Sequence, residues 1–179
     1  MTRSQLIILA VAMLAAAAAP AYLTWKAHTN MPKDLPRPSQ TFSVTRPDEE
    51  WQASLTPKQY AVLRRHDTEY PGTSPLLGEH REGTFACAGC GQLLFTSDTK
   101  YESGSGWPSF YAAIDGAVGT DEDRSLGMTR VEIYCSRCGG HLGHVFPDGP
   151  RPTTGERYCT NGAALSFTPS EPESEGARR

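Results

Sequence analysis

The sequence predicts a mainly β domain of two antiparallel sheets, with a short N-terminal helix and a structural metal clip. Three observations carry this reading. Short runs alternate apolar and polar residues, as half-buried strands do. Glycine and proline interrupt those runs every few residues, so the strands are joined by tight turns. Four cysteines fall in two matched pairs, "CAGCG" from Cys87 and "CSRCGG" from Cys135, each closed by a glycine.

The N-terminus stands apart from that domain. From Leu6 to Leu23 the chain is almost wholly apolar, follows Arg3, and ends in small residues and Pro20. This is the pattern of an export signal, and the run is also long enough to stay as an anchor crossing a membrane once. Residues 1–26 are therefore read as a signal sequence or a membrane anchor. Either one places the rest outside the cytoplasm, periplasmic or anchored and facing outward. Residues 27–47 are polar and dotted with prolines, a composition that reads as a flexible linker. Residues 48–168 make the folded domain. Residues 169–179, "PSEPESEGARR", read as a solvated tail.

In "LTPKQYAVLRRH", Thr56 occupies a cap position, Pro57 the first helical position, and Gln59 lies three after the cap, which predicts a helix starting there. Further on the period changes to two. "RVEIYC" sets Val131, Ile133 and Cys135 on one face and Glu132 and Tyr134 on the other. "TFACAGCGQLLFTS", "HLGHVFPDG" and "RYCTNGAALSF" predict more strands. The formal net charge is −3 and no basic run occurs, which excludes an electrostatic nucleic-acid surface.

The twin gaps let both thiolates of a pair reach one ion, and the following glycine lets the backbone turn close to it. Cys87, Cys90, Cys135 and Cys138 thus suit one structural Zn²⁺ per chain. Four thiolates close a tetrahedral site and leave no position for a substrate. Disulfides or a redox-active pair are the alternative, which an exported chain would favour.

Cys159 has no partner in these pairs. If "RYCTN" is a strand, Arg157, Cys159 and Asn161 share a face. A guanidinium beside a thiol favours the thiolate, so Cys159 reads as a nucleophile rather than core filler. The four cysteines are the better ligands for zinc; His141 and His144 are candidate proton donors or metal ligands. They are three apart, so on a regular strand they would face opposite ways, and only a bulge at Gly143 would bring both to one site. Trp107, flanked by glycines and a proline in "SGSGWPSF", reads as an indole presented over a substrate.

Taken in order, "CAGCGQLLF", "KYESGSGWPSF", "RVEIYCSRCGGHLGHVFPDGP" and "GERYCTNGAALSF" closely resemble the type B peptide-methionine sulfoxide reductases, which reduce the R epimer of methionine sulfoxide. The resemblance runs from about Trp51 to Phe167. It implies a β-tent of two antiparallel sheets with a structural zinc. It implies that Cys159 attacks the sulfoxide and becomes a sulfenic acid, that Arg157 helps hold the thiolate, and that His144 with His141 protonates the departing oxygen. Asn161 would orient the site, Trp107 would pack on the substrate methyl group, and the substrates would be oxidised methionine residues in proteins. Many relatives carry a resolving cysteine where this chain has Ser105, so a thioredoxin-like or small-thiol reductant is expected to act on Cys159 directly. Gly162 replaces a serine common in the family, which is expected to loosen the site slightly, and an added threonine in "PTTGE" lengthens a loop. The competing expectation is a non-catalytic, zinc-stapled binding domain of similar fold.

Overall fold

The computed structural model describes residues 40–170. The expected signal or anchor at 1–26, the first part of the linker and most of the tail lie outside the described residues. Among the described residues no helix is long and apolar enough to cross a membrane.

Two helices open the domain, α1 (Asp48–Ser54) and α2 (Pro57–Arg65). The expected capping box is present on α2: Gln59 N donates to Thr56 Oγ1 at 3.3 Å and Thr56 N to Gln59 Oε1 at 3.0 Å. Helix α1 is an addition to the expectation. It has no side-chain cap, but Asp48, Glu49 and Glu50 fill its first turn, where the helix dipole favours negative charge. It delivers Trp51 to the core, 2% exposed.

Nine strands follow. The first two are β1 (Gly83–Cys87) and β2 (Leu93–Thr96), and β9 (Leu165–Pro169) completes their sheet in the order β2-β1-β9. The larger sheet holds β3 (Lys100–Tyr101), β4 (Ser109–Phe110), β5 (Val118–Asp123), β6 (Arg130–Cys135), β7 (His141–Phe146) and β8 (Arg157–Thr160). Its order is β3-β4-β8-β7-β6-β5. Every pairing is antiparallel. Phe85, Phe95 and Phe110 fill the core, the last two stacked with centroids 4.2 Å apart.

Three expectations need correction. The linker is docked at its C-terminal end: Val44 N donates to Arg137 O at 3.0 Å, and Phe42 meets Tyr134 edge-on at 5.9 Å. An aromatic and a β-branched residue in that polar stretch find apolar partners, so residues 40–47 pack against the domain. The tail begins later than expected, because β9 pairs Thr168 with Thr84 and Pro169 with Gly83. On β6, Val131 is exposed and Glu132 is buried, against the simple alternation. Glu132 is held inside by His141 and His66, while a register shift after Ile133 leaves the last residues of the strand buried on both faces.

Candidate functional site

The two cysteine pairs form one cluster. Cys87 Sγ lies 3.7 Å from Cys138 Sγ, Cys90 Sγ lies 3.5 Å from Cys135 Sγ, and all four sulfurs are within 4.8 Å of one another. Sulfurs around a tetrahedral zinc at ~2.3 Å stand about 3.8 Å apart, so the donor set fits that ion. The two turns are built alike. Gly91 N donates to Cys87 O and Gly139 N to Cys135 O, both at 2.8 Å, and both glycines have left-handed backbone (φ 73° and 70°) where a side chain would be strained. All five cysteines are free of disulfides.

Away from the cluster, the register of the large sheet sets a row of side chains on one face. Tyr101 pairs with Ser109, Ser109 with Cys159, Cys159 with His144, and His144 with Glu132. Direct cross-strand partners have β-carbons about 5 Å apart on the same side, so Cys159 and His144 are neighbours. The bulge that would bring both histidines to one face is present. Tyr134 pairs with His141 but Ile133 with Gly143, so β7 carries an extra residue there. Gly143 is required at that point, since a β-carbon would overlap the Cys159 carbonyl oxygen. The two imidazoles meet edge-to-face at 5.6 Å.

They are not equivalent. His144 lines a cavity of ≈ 120 Å³ together with Trp107, Phe146, Cys159, Asn161 and Arg130. His144 Nε2 lies 2.8 Å from Asp123 Oδ2. Burial works to raise the Asp123 carboxyl, but hydrogen bonds from Ser125 and His144 and the charge of Arg130 hold it well below the usual carboxylate range. It is an anion at neutral pH. His141 sits behind His144, 3% exposed, with Nδ1 2.7 Å from Glu132 Oε1. Burial lowers its pKa, and Glu132 offsets only part of that, so His141 is neutral at pH 7 with its proton on Nδ1 toward the carboxylate.

Cys159 is half-buried. Burial raises its thiol above the ordinary cysteine value; Ser105 and Arg157 pull the other way without cancelling it. The expected resting thiolate is thereby corrected to a resting thiol. Part of the reason is Arg157 itself, which spends two nitrogens on Asp148 at 2.8 and 2.9 Å and lies over the Phe146 ring at 4.5 Å. Ser105, in the loop that leads into β4, has its Oγ 3.8 Å from Cys159 Sγ, while His144 faces Cys159 from β7.

Trp107 is half-buried on the cavity wall, and its Nε1 donates to Glu69 O at 3.0 Å. Asn161 also lines the cavity, but its amide is committed: Nδ2 donates to Leu142 O at 3.1 Å and Oδ1 accepts from Glu69 N at 3.0 Å. It ties the Glu69 segment to β7 beside the nucleophile. The Glu69 side chain completes this tie by accepting from Gly162 N and, at 3.2 Å, from Ala163 N.

The comparisons bear directly on this arrangement. The SelR domain family matches residues 55–169. The peptide methionine sulfoxide reductase MsrB of Leptospira interrogans serovar Lai is 58% identical over 127 residues, spanning 70% of this chain and 96% of that protein. The proteins of the same name from Leifsonia xyli and Methanosarcina barkeri are 53% and 51% identical over 131 and 138 residues, covering 94% and 96% of those proteins.

The chain belongs to the MsrB family.

Within this MsrB chain, Gly162 does not loosen the site as expected. A β-carbon at 162 would overlap the Ser74 hydroxyl, which packs against the glycine and accepts from Leu76 N at 3.2 Å. The space is filled from the other side. Gly162→Ser should therefore destabilise the domain by about 1–3 kcal/mol through overpacking, and Ser74→Gly should recover most of the loss. Thermal melts of both single variants and the double variant check this; an undisturbed melting temperature in Gly162→Ser would contradict it.

Four residues of the MsrB site were missed from sequence: Glu69, Asp123, Glu132 and Asp148. Only Asp148 carried a local signal, as the acidic residue of the "PDG" turn between β7 and β8. Glu69 and Asp123 reach the site from segments farther along the chain, while Glu132, nine residues before His141, sits in an alternating strand that gave no sign of its burial.

Proposed function

We propose that this chain reduces the R epimer of methionine sulfoxide in proteins to methionine, with Cys159 as nucleophile and His144 as proton donor. The observation that carries the reading is the direct pairing of Cys159 with His144 across β8 and β7, both on one cavity walled by Trp107. A sulfoxide oxygen leaves poorly until it is protonated, so a nucleophile and an acid have to converge on one sulfur.

The substrate methyl group packs on the Trp107 indole, which the Glu69 carbonyl holds in place. As substrate binds, the Cys159 proton passes to the neighbouring His144 ring, and the Arg157 charge favours the thiolate that forms. His144 is turned by Asp123, which accepts from Nε2, so the proton delivered to the sulfoxide oxygen is the one on Nδ1. His141 acts through His144, as a neutral ring packed behind it and fixed by Glu132. The oxygen ends on Cys159 as a sulfenic acid and methionine departs.

Cys87, Cys90, Cys135 and Cys138 hold a structural Zn²⁺, which would clamp two turns joined by no other covalent link. With those four thiols engaged and serine at 105, an external thiol or reductase restores Cys159. The apolar N-terminal stretch supports an extracytoplasmic setting, where the substrates would be oxidised envelope proteins.

The test offers the domain, with dithiothreitol, the separated R and S sulfoxides of a peptide methionine. Turnover of the R epimer is expected. Turnover of S alone would overturn the assignment.

A further inference from the structure

A second cavity, ≈ 380 Å³, lies beside Ser105, the residue whose hydroxyl meets the nucleophile. Glu102, Ser103, Gly104, Ser105, Asp148 and Arg157 line it. Its lining is mostly polar, with Tyr101 and Pro150 the exceptions. Its relation to Cys159 is set by Ser105, which lines it and has Oγ 3.8 Å from the sulfur, and by Arg157, two residues before Cys159 on the same strand.

The direction of approach matters because displacement at a sulfenic sulfur is in line. The attacking thiolate enters opposite the departing oxygen. That oxygen lies toward His144, which gave it its proton, and His144 and the β4 side of the sheet flank Cys159 from opposite strands. The incoming sulfur therefore reaches Cys159 from the Ser105 side, and the polar cavity is the space that opens there.

The charges on its rim narrow the class of thiol. Glu102 is 66% exposed and Asp148 61%, whereas Arg157 is 14% exposed and already doubly bonded to Asp148. Lys100, the partner of Glu102 at 3.6 Å, is 6% exposed and donates to Leu77 O. A ligand entering the cavity meets carboxylates. Its volume is in the range that takes small molecules rather than a protein surface.

Resting on the reading of Cys159 as the nucleophile, we propose that this cavity admits the regenerating reductant, a low-molecular-weight thiol bearing an ammonium group rather than a carboxylate. The first thiolate attacks Sγ; an S–S bond forms, the S–O bond breaks, and the oxygen takes up a proton and leaves as water. A second thiolate attacks the outer sulfur of the mixed disulfide, releasing the small disulfide and the Cys159 thiolate. Two thiols supply the two electrons.

The probes are cysteamine, 2-mercaptoethanol and mercaptoacetate, mixed with the full chain after one sulfoxide turnover without reductant. Rates are compared per thiolate, with allowance for thiol basicity. Cysteamine is expected to react fastest and mercaptoacetate slowest, about three- to tenfold apart at low ionic strength, with the gap closing as salt is added. Glu102→Lys, a change at an exposed position, should reverse that order while the methionine released in the first turnover stays the same. Rates that follow thiol basicity alone and ignore Glu102→Lys would overturn the proposal. So would a thioredoxin-type protein that outpaces all three probes and is indifferent to the substitution. Absence of methionine from the first turnover would instead refute Cys159 as the nucleophile, and the role of this cavity would fall with it.

Discussion

Cys159→Ser should abolish sulfoxide reduction, by ~10⁴-fold or more, and leave zinc content and thermal unfolding as they are. The magnitude follows from the chemistry of the atom replaced. A serine hydroxyl in the same half-buried place is far harder to ionise than a thiol that burial already disfavours, and the Arg157 charge, shared with Asp148, does not make up the difference. The fold should not notice, because the side chain is one small group at the centre of a row held by backbone pairing with β4 and β7. Methionine formation at undiminished rate in the serine variant would remove the nucleophile from the account. Loss of activity together with loss of zinc would show that the substitution had acted on folding instead.

Breaking the metal clip should do the reverse and take the fold with it. Cys135→Ala, or exhaustive chelation of the wild-type domain, is expected to remove cooperative unfolding altogether. A structural zinc contributes on the order of 10–16 kcal/mol of apparent binding free energy, against about 5–15 kcal/mol for the stability of a whole domain. Cys87 and Cys135 are almost fully buried, so the four sulfurs also occupy core space beside Trp51 and Leu63. Metal analysis paired with circular dichroism during heating makes the test. A zinc-free protein that melts as sharply and at the same temperature would show that the cluster is not a clip.

What the sequence disclosed and what it withheld differ in physical kind. The capping box at Thr56, the matched knuckles and the bulge at Gly143 were legible because each is a local steric or hydrogen-bonding requirement written within a few residues. The face shared by Arg157 and Cys159 was legible for the same reason. Strand β5 was not, because its sequence "VGTDED" lies at the sheet edge with several side chains in solvent and shows no alternation to detect. Strands β3 and β4, two residues each, are too short to show a period. Helix α1 lacked a cap and was passed over, although three acids after a proline were there to be read.

The site residues divide along the same line. Cys159, His144 and Trp107 announced themselves by type and neighbours, whereas their supports did not. Glu69 meets Gly162 from 93 residues away, and Asp123 meets His144 from 21. The ionisation of Cys159 was the feature that sequence placed wrongly. A cationic neighbour is visible in "RYC", but the burial that outweighs it is a property of the assembled sheet.

On the proposed mechanism the oxygen passes to Cys159 and waits there for a thiol from outside. One turnover of the wild-type domain with R-methionine sulfoxide, in the absence of reductant, followed by mass spectrometry of trapped peptides, tests it most directly. The expected result is one equivalent of methionine and a sulfenic acid on Cys159, with the four knuckle cysteines unmodified. A disulfide joining Cys159 to any other cysteine of the chain, or methionine formed with Cys159 still reduced, would contradict it.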